Sequence, residues 1–162
     1  METGILARTM ARPTTLDRTS LLAGVRELAA RDRRLARIVD EFGPPPLWAR
    51  PRGFPTLVRI ILEQQVSLAS AAALYAKLDR HFEGRLTPAR VLAPGEVALL
   101  SLGVTRQKAR YVVGLAAQLE SGAVSLERIA RMPDAAAGAT LVQIQGIGPW
   151  TAGVYLLMAL RR

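Results

Sequence analysis

The sequence predicts an all-α protein, a helical bundle, and three observations carry that prediction. No stretch alternates apolar and polar residues with the period of two that a half-buried strand shows. Apolar residues instead recur at helical spacing along most of the chain. Gly, Pro, Ser and Thr residues stand where such helices would begin or end. With 162 residues, 50% of them hydrophobic, the chain is long enough to bury one core.

The N-terminal part divides into a leader and one basic helix. Residues 1–16 show no helical pattern and are predicted to be a flexible leader. Residues 17–43 carry the predicted helix, Leu21–Phe42, with Ser20 as its cap. The helix is rich in arginine, but nearby acidic residues favour a solvated face over contact with DNA. A Gly-Pro-Pro-Pro run ends it, and residues 44–162 form the remaining domain.

Two helices of different character follow. The helix predicted over 55–62 is apolar almost all round and should therefore be central. A second helix is predicted over 68–81, capped by Ser67. Gln64 and Gln65 lie between these two apolar helices. The presence of two polar amides there needs an explanation, because an unpaired buried amide is costly. From the residues alone, one reason is that they cap the end of the first helix.

The middle of the chain is predicted to form shorter helices. They are a helix starting at Thr87-Pro88, then Glu96–Ser101, Arg106–Leu119 capped by Thr105, and Ser125–Met132. Basic residues, Lys108 among them, crowd the start of the helix after Thr105 and oppose its dipole. That arrangement favours an external anion, with a solvated face as the alternative.

A tight glycine corner joins the last two predicted helices, Ala135–Ile144 and Thr151–Leu160. Gly146 and Gly148 bracket one apolar residue, and Pro149 suits the first turn of a helix. The N–H groups at such a corner have no intrahelical acceptors, and the helix dipole there favours negative charge. The corner therefore predicts a phosphate contact, although a plain turn between core helices is the alternative.

Three motifs in this chain resemble the helix-hairpin-helix DNA glycosylase superfamily, and within it the DNA-3-methyladenine glycosylase II branch. They are Ile60-Ile61-Leu62-Glu63-Gln64-Gln65-Val66-Ser67, Leu102-Gly103-Val104-Thr105-x-x-Lys108-Ala109 and Ile144-x-Gly146-Ile147-Gly148-Pro149-Trp150-Thr151-Ala152. Their order and spacing are those of the family, and the resemblance covers about residues 45–162. It implies a protein of base excision repair that binds double-stranded DNA and takes a damaged purine base out of the helix.

The resemblance assigns roles to two side chains. In the family, the residue at the position of Gln65 enters the duplex and fills the gap that the extruded base leaves. Trp150 would line the base pocket, where its ring suits a cationic alkylated purine; a core or interface aromatic is the alternative. Family members that also cleave the DNA backbone carry a Lys at this position, so Trp150 implies that the lyase route is absent.

Phosphate and cation contacts are implied as well. The residues matched to phosphate contacts are Gly146, Gly148, Trp150, Thr151 and Lys108. The family's hairpin also holds a monovalent cation, Na⁺ or K⁺, through main-chain carbonyls, and the matching residues are Val142, Ile144 and Ile147. No organic cofactor is implied.

The catalytic carboxylate of the family has no counterpart in this sequence. In the family it is an Asp roughly twenty residues beyond the second hairpin glycine, which activates water or stabilises the sugar cation. No Asp or Glu follows Asp134, and the last residue is Arg162. We therefore expect a bundle without its C-terminal helices: by family a monofunctional hydrolase of alkylated purines of the 3-methyladenine type, but a truncated chain that is inactive alone.

Charge and composition agree with this interpretation. The formal net charge of +9 suits a polyanionic partner, although a generally basic protein would show it too. With no cysteine, the chain has no disulfide and no Cys-ligated metal site. The uncharged run 135–160 contains Gly and Pro, which favours a helix pair over a membrane span. For a DNA-repair protein of this family we expect a cytoplasmic, nucleoid-associated location.

Two other functions stay open. A non-catalytic helix-hairpin-helix module would bind DNA without a base pocket. A helical protein-interaction domain would not need DNA at all.

Overall fold

The computed structural model describes residues 15–162, and within that range every regular element is a helix. The helices are α1 Arg18–Arg31, α2 Arg33–Phe42, α3 Phe54–Glu63, α4 Leu68–His81, α5 Pro88–Leu92, α6 Gly95–Ser101, α7 Arg106–Glu120, α8 Leu126–Ile129, α9 Asp134–Leu141 and α10 Pro149–Tyr155. A π-helical segment, Leu156–Leu160, continues from α10. The all-α prediction is confirmed. Of the predicted leader, residues 1–14 lie outside the described range.

The single basic helix predicted at 21–42 is wrong, because the structure has two helices there. Asp32 separates them with an extended backbone, and its carboxylate accepts a hydrogen bond from the Arg34 N–H at 2.7 Å. The cap predicted for this helix, Ser20, is not its N-cap. Asp17 is the N-cap, and Ser20 completes a reciprocal capping box with it. Neither α1 nor α2 contributes a buried residue, and the two helices pack against each other.

Helix α3 is the centre of the bundle, as its apolar sequence predicts. Seven of its residues are buried, and the helix packs against α4, α7 and α10. The predicted caps Ser67 and Thr105 are confirmed, and Thr87 caps the helix predicted to start at Thr87-Pro88, because each side chain accepts a hydrogen bond from the N–H three residues later. These local signals fix the residues at which α4, α5 and α7 begin.

The connector from α2 to α3 is tied down at two places. The Arg50 N–H donates to the Met158 carbonyl at 2.8 Å, and the Gly53 N–H donates to the Tyr155 hydroxyl at 3.1 Å. The connector therefore crosses α10 and the π-helical segment before α3 begins. Within residues 15–162, no helix is both long enough and apolar enough to cross a membrane.

Candidate nucleic-acid interface

The glycine corner is a compact turn held from inside. Helix α9 ends at Leu141, three residues earlier than predicted, because tight i→i+3 bonds replace the helix: Ile144 N–H donates to the Leu141 carbonyl at 3.1 Å and Ile147 N–H to the Ile144 carbonyl at 3.0 Å. Both isoleucine side chains are buried. The first helical bond of α10 runs from Ala152 N–H to the Gly148 carbonyl at 2.9 Å. The earlier N–H groups of α10 therefore face outward without helical acceptors.

The two glycines of the corner serve different purposes. Gly146 has φ +87°, and a Cβ built there would lie 2.4 Å from two ring carbons of Tyr111. Gly148 has φ −84°, and a Cβ there would meet nothing within 4 Å. Gly146 is therefore required by packing inside the protein. Gly148 leaves open space at the start of α10, where a phosphate can approach the backbone.

A side-chain amide joins α3 to this corner. Gln64 follows the last residue of α3, and its Nε2 donates to the Gly146 carbonyl at 2.9 Å and to Thr151 Oγ1 at 3.0 Å. The Thr151 side chain is buried, so only its backbone N–H is left for an outside partner. The side-chain amide therefore satisfies groups of the hairpin, while Gln64 is also the C-cap of α3 through its backbone N–H, which donates to the Ile61 carbonyl.

Gln65 lies at the tip of the turn between α3 and α4. It is one of three described non-glycine residues with positive φ, at +56°, and its side chain is exposed. Such a conformation costs roughly 1 kcal/mol and persists only where its surroundings hold it. The backbone just before Gln65 is held by the Lys108 ammonium, which donates to the carbonyls of Leu62 at 2.8 Å and Gln64 at 2.7 Å.

Lys108 therefore has an internal role that its sequence position did not reveal. Two of its three donors are used within the protein, which leaves one for a phosphate. Burial lowers the pKa of the ammonium below its usual value. The carbonyls that it contacts are at the C-terminal end of α3, where the helix dipole favours a positive charge.

Trp150 is 68% exposed, which is incompatible with the alternative of a core aromatic. Its position at the start of α10 places the ring beside the hairpin backbone. Tyr155, about one and a half turns further along, is fully buried beneath a different depression. Trp150 is thus the aromatic side chain of α10 that is available to a ligand.

One groove of about 730 Å³ gathers every residue predicted for the site. Its lining includes Gln65, Lys108, Val142, Ile144, Gly146, Ile147, Gly148, Trp150 and Thr151. Size alone does not single it out, because a depression of about 770 Å³ beside Tyr155 is as large. That depression contains none of the predicted site residues.

Glu63 is a groove residue whose partner the sequence did not reveal. Its side chain is 10% exposed and forms a paired contact with the Arg50 guanidinium, at 2.9 and 3.0 Å. Arg59 adds a third contact to it at 3.2 Å. Among the residues that line the groove, Glu63 has the only carboxylate, and both of its oxygens are engaged by guanidinium groups. It is therefore poorly placed to activate water.

Among the described residues, no cluster of His, Cys, Asp or Glu could hold a metal ion. The predicted cation contacts are main-chain oxygens, and Val142, Ile144 and Ile147 all lie in the segment that joins α9 to α10. The Ile144 carbonyl accepts one internal hydrogen bond and keeps a second lone pair. Carbonyl oxygens are common ligands of hard cations, and the Na⁺ or K⁺ stays a prediction.

Two bacterial proteins are similar to this chain. A DNA-3-methyladenine glycosylase of Bacillus subtilis is 32% identical over 130 residues, which are 68% of this chain and 40% of that protein. The crystal structure of a DNA-3-methyladenine glycosidase from Bacillus halodurans matches with a TM-score of 0.72 and 29% identity, over 85% of this chain and 64% of the other.

A fission-yeast structure shares the fold. The 3-methyladenine DNA glycosylase of Schizosaccharomyces pombe, in complex with abasic DNA, matches with a TM-score of 0.78 and 23% identity, over 86% of this chain and 71% of the other. The match to this chain covers only 40% of the Bacillus subtilis glycosylase, which is well under half of that protein's length. Residues 58–152 match the family described as HhH-GPD superfamily base excision DNA repair protein. That match covers more than half of the sequence and includes all three motifs, and the chain belongs to the HhH-GPD superfamily of base excision DNA repair proteins.

Proposed function

We propose that this chain is the DNA-gripping and base-flipping part of a DNA glycosylase that removes alkylated purines of the 3-methyladenine type. The observation that carries the proposal is the common groove of Gln65, Trp150 and the hairpin. The open backbone at Gly148 grips a phosphate, Gln65 fills the space of the extruded base, and Trp150 forms one wall of the base pocket. The similarity to 3-methyladenine glycosylases supports this assignment.

The exposed indole of Trp150 supports the proposed lesion class. An alkylated purine that carries a positive charge is attracted to the face of a Trp ring by about 0.5–2 kcal/mol. A neutral base gains only the stacking part of that interaction. Replacing Trp150 by Phe should therefore weaken binding of a cationic purine nucleoside more than binding of adenosine, and equal losses would contradict the assignment.

In the part of the chain that the structure describes, the groove contains no free carboxylate that could support cleavage of the N-glycosidic bond by this chain alone. Cutting an N-glycosidic bond needs a carboxylate beside the sugar, and Glu63 is engaged by Arg50 and Arg59. We expect this chain alone to bind and distort DNA without releasing alkylated purines. Release of 3-methyladenine by the purified chain would contradict that expectation and would make Glu63 the first residue to replace.

The lyase route is also outside this proposal. Trp150 occupies the position of the amine nucleophile of backbone-cleaving relatives, and the Lys108 amine is bonded to two carbonyls. Borohydride reduction should trap no covalent complex between this chain and a duplex with an abasic site. A trapped complex that Lys108→Met abolishes would contradict this part of the proposal.

A binding titration tests the proposal directly. Fluorescence anisotropy should show that the chain prefers a duplex with a stable abasic-site analogue over an undamaged duplex, because the wedge then enters a gap without extruding a base. For two to four phosphate contacts, the log–log dependence of affinity on salt should have a slope of roughly −2 to −4. We further propose a Na⁺ or K⁺ at the hairpin and a cytoplasmic, nucleoid-associated location.

The second candidate is a non-catalytic DNA-binding module, which the internally engaged Glu63 favours. Such a module would bind both duplexes equally. In a protein-interaction domain, Gly148→Ala would leave DNA affinity unchanged, and this variant is a better probe than Gly146→Ala because the space at Gly148 is open.

A further inference from the structure

The wedge turn, defined as residues 64–66, and the hairpin lie far apart in sequence, yet a short chain of hydrogen bonds connects them. Lys108 donates to the carbonyls of Leu62 and Gln64, and the Gln64 amide donates to Gly146 and Thr151. The backbone of the wedge turn is therefore held by the Lys108 ammonium. The side chain of Gln64, the first residue of the turn, ties the turn to the hairpin.

Helix α7 braces both elements. Lys108 and Tyr111 are three residues apart and therefore project from neighbouring positions on one side of the helix. Lys108 contacts the end of α3, whereas the Tyr111 ring packs against Gly146. The Tyr111 hydroxyl is in turn hydrogen-bonded by the Gln107 amide at 2.7 Å. One helix therefore sets the separation between the wedge turn and the phosphate-binding backbone.

We propose that Lys108 and Gln64 are positioning residues that hold Gln65 in its left-handed conformation and in register with the hairpin, so that phosphate grip and wedge insertion occur together. This inference rests on the proposed function. Gln65 has a φ that is unfavourable for a side-chain-bearing residue, and a free turn would relax away from it. The ammonium binds the carbonyls on both sides of Glu63, which prevents that relaxation.

The chain offers a matched control for the test. Lys108 and Lys77 are its two lysines, and Lys77 is exposed on α4 and does not line the groove. Lys108→Met and Lys77→Met remove the same charge, so any difference between them is local. Each variant is titrated with undamaged duplex and with duplex that contains an abasic-site analogue. The base opposite the analogue is 2-aminopurine, whose fluorescence rises when it is unstacked.

The expected result is a selective loss. Lys108→Met should reduce the preference for the abasic duplex, measured as the ratio of the two affinities, by about 10-fold and should abolish the fluorescence rise, whereas Lys77→Met should keep both. Lys108→Arg, which keeps the donors, should restore part of both signals. Gln64→Leu should give the same selective loss, and it provides a second variant if Lys108→Met does not fold.

A double-mutant cycle with Gln65→Ala separates the possible explanations. If Lys108 acts through Gln65, Lys108→Met adds no further loss in the Gln65→Ala background. Additive losses would overturn the proposal, and so would behaviour of Lys108→Met that equals Lys77→Met in every assay. Equal weakening on both duplexes with a salt slope smaller by about one would show that Lys108 is a phosphate ligand instead.

The same experiment distinguishes failure of the proposed function. If Gln65→Ala keeps the abasic preference and the fluorescence rise, the wedge assignment is wrong, and the positioning role falls with it. If Gln65→Ala loses both signals while Lys108→Met and Gln64→Leu keep them, the wedge stands and only the positioning role is overturned.

Discussion

Gly146 is the position where one added methyl group should do the most damage. Replacing it by Ala places a Cβ 2.4 Å from the Cγ and Cδ2 atoms of Tyr111 and 2.9 Å from its Cβ. The Tyr111 Cβ belongs to the base of the side chain, so it moves only if α7 moves. The substituted residue must also keep φ near +87°, which L side chains rarely adopt.

The cost has two parts. The left-handed backbone costs an Ala roughly 1 kcal/mol, and overpacking against Tyr111 adds roughly 1–3 kcal/mol, so Gly146→Ala should destabilise the protein by about 2–4 kcal/mol. With a urea m-value of about 2 kcal/mol/M, the unfolding midpoint should fall by about 1–2 M. Circular dichroism at 222 nm in a urea titration measures this shift.

Gly148→Ala is the matched control. Its Cβ meets no atom within 4 Å and its φ of −84° is ordinary, so its stability should change by no more than about 1 kcal/mol, the cost of Ala at an N-cap. Its affinity for DNA should fall instead. The reasoning is refuted if both variants lose the same stability, or if Gly146→Ala and Tyr111→Ala prove additive in a double-mutant cycle.

Two further predictions concern stability. Glu63→Gln breaks the paired contact with Arg50 and should cost about 2–3 kcal/mol, below the range for a fully buried pair, whereas Glu83→Gln, whose side chain is 65% exposed, should leave the urea midpoint nearly unchanged; equal effects would contradict the importance of burial. Tyr155→Phe removes the acceptor of the Gly53 N–H and should cost about 1 kcal/mol at neutral pH. Burial raises the pKa of Tyr155, so the folded state keeps this proton to higher pH than the unfolded state, and the contribution is lost as pH rises above 10.0. The alkaline fall of the midpoint should therefore be shallower in Tyr155→Phe, and an unchanged fall would show that Tyr155 does not contribute to it.

Short-range sequence signals predicted several helix starts well, because the hydrogen bonds behind them join residues that are close in the sequence. Ser67, Thr87 and Thr105 cap helices through a bond to the third residue beyond, a distance that sequence alone defines. The same limit explains the error at Asp32. Its neighbours continue a helical pattern, but its carboxylate prefers the Arg34 N–H and starts a new helix, and no packing partner opposes the break because α1 and α2 lie outside the core.

The hairpin, the wedge turn and the tryptophan were identifiable from motifs, and their common groove required only that the motifs fold together. Whether these residues act as assigned stays a prediction. The partners of Lys108 and Gln64 were not identifiable, because their hydrogen bonds reach 46 and 87 residues along the chain. Such contacts depend on the angle at which α7 and α10 pack on α3, which no local pattern encodes.

The sequence by itself determined most of the helices, the caps at Ser67 and Thr105, the glycine corner and the family, since each follows from residue types at short fixed spacings. Only the tertiary structure shows why Gly146 must be glycine and which arginines pair with Glu63. It also shows that the Lys108 ammonium is hydrogen-bonded to carbonyls of the protein itself. The physical reason is the same in each case. A buried polar or crowded group is defined by its neighbours in space, and α3 brings those neighbours together from distant parts of the chain.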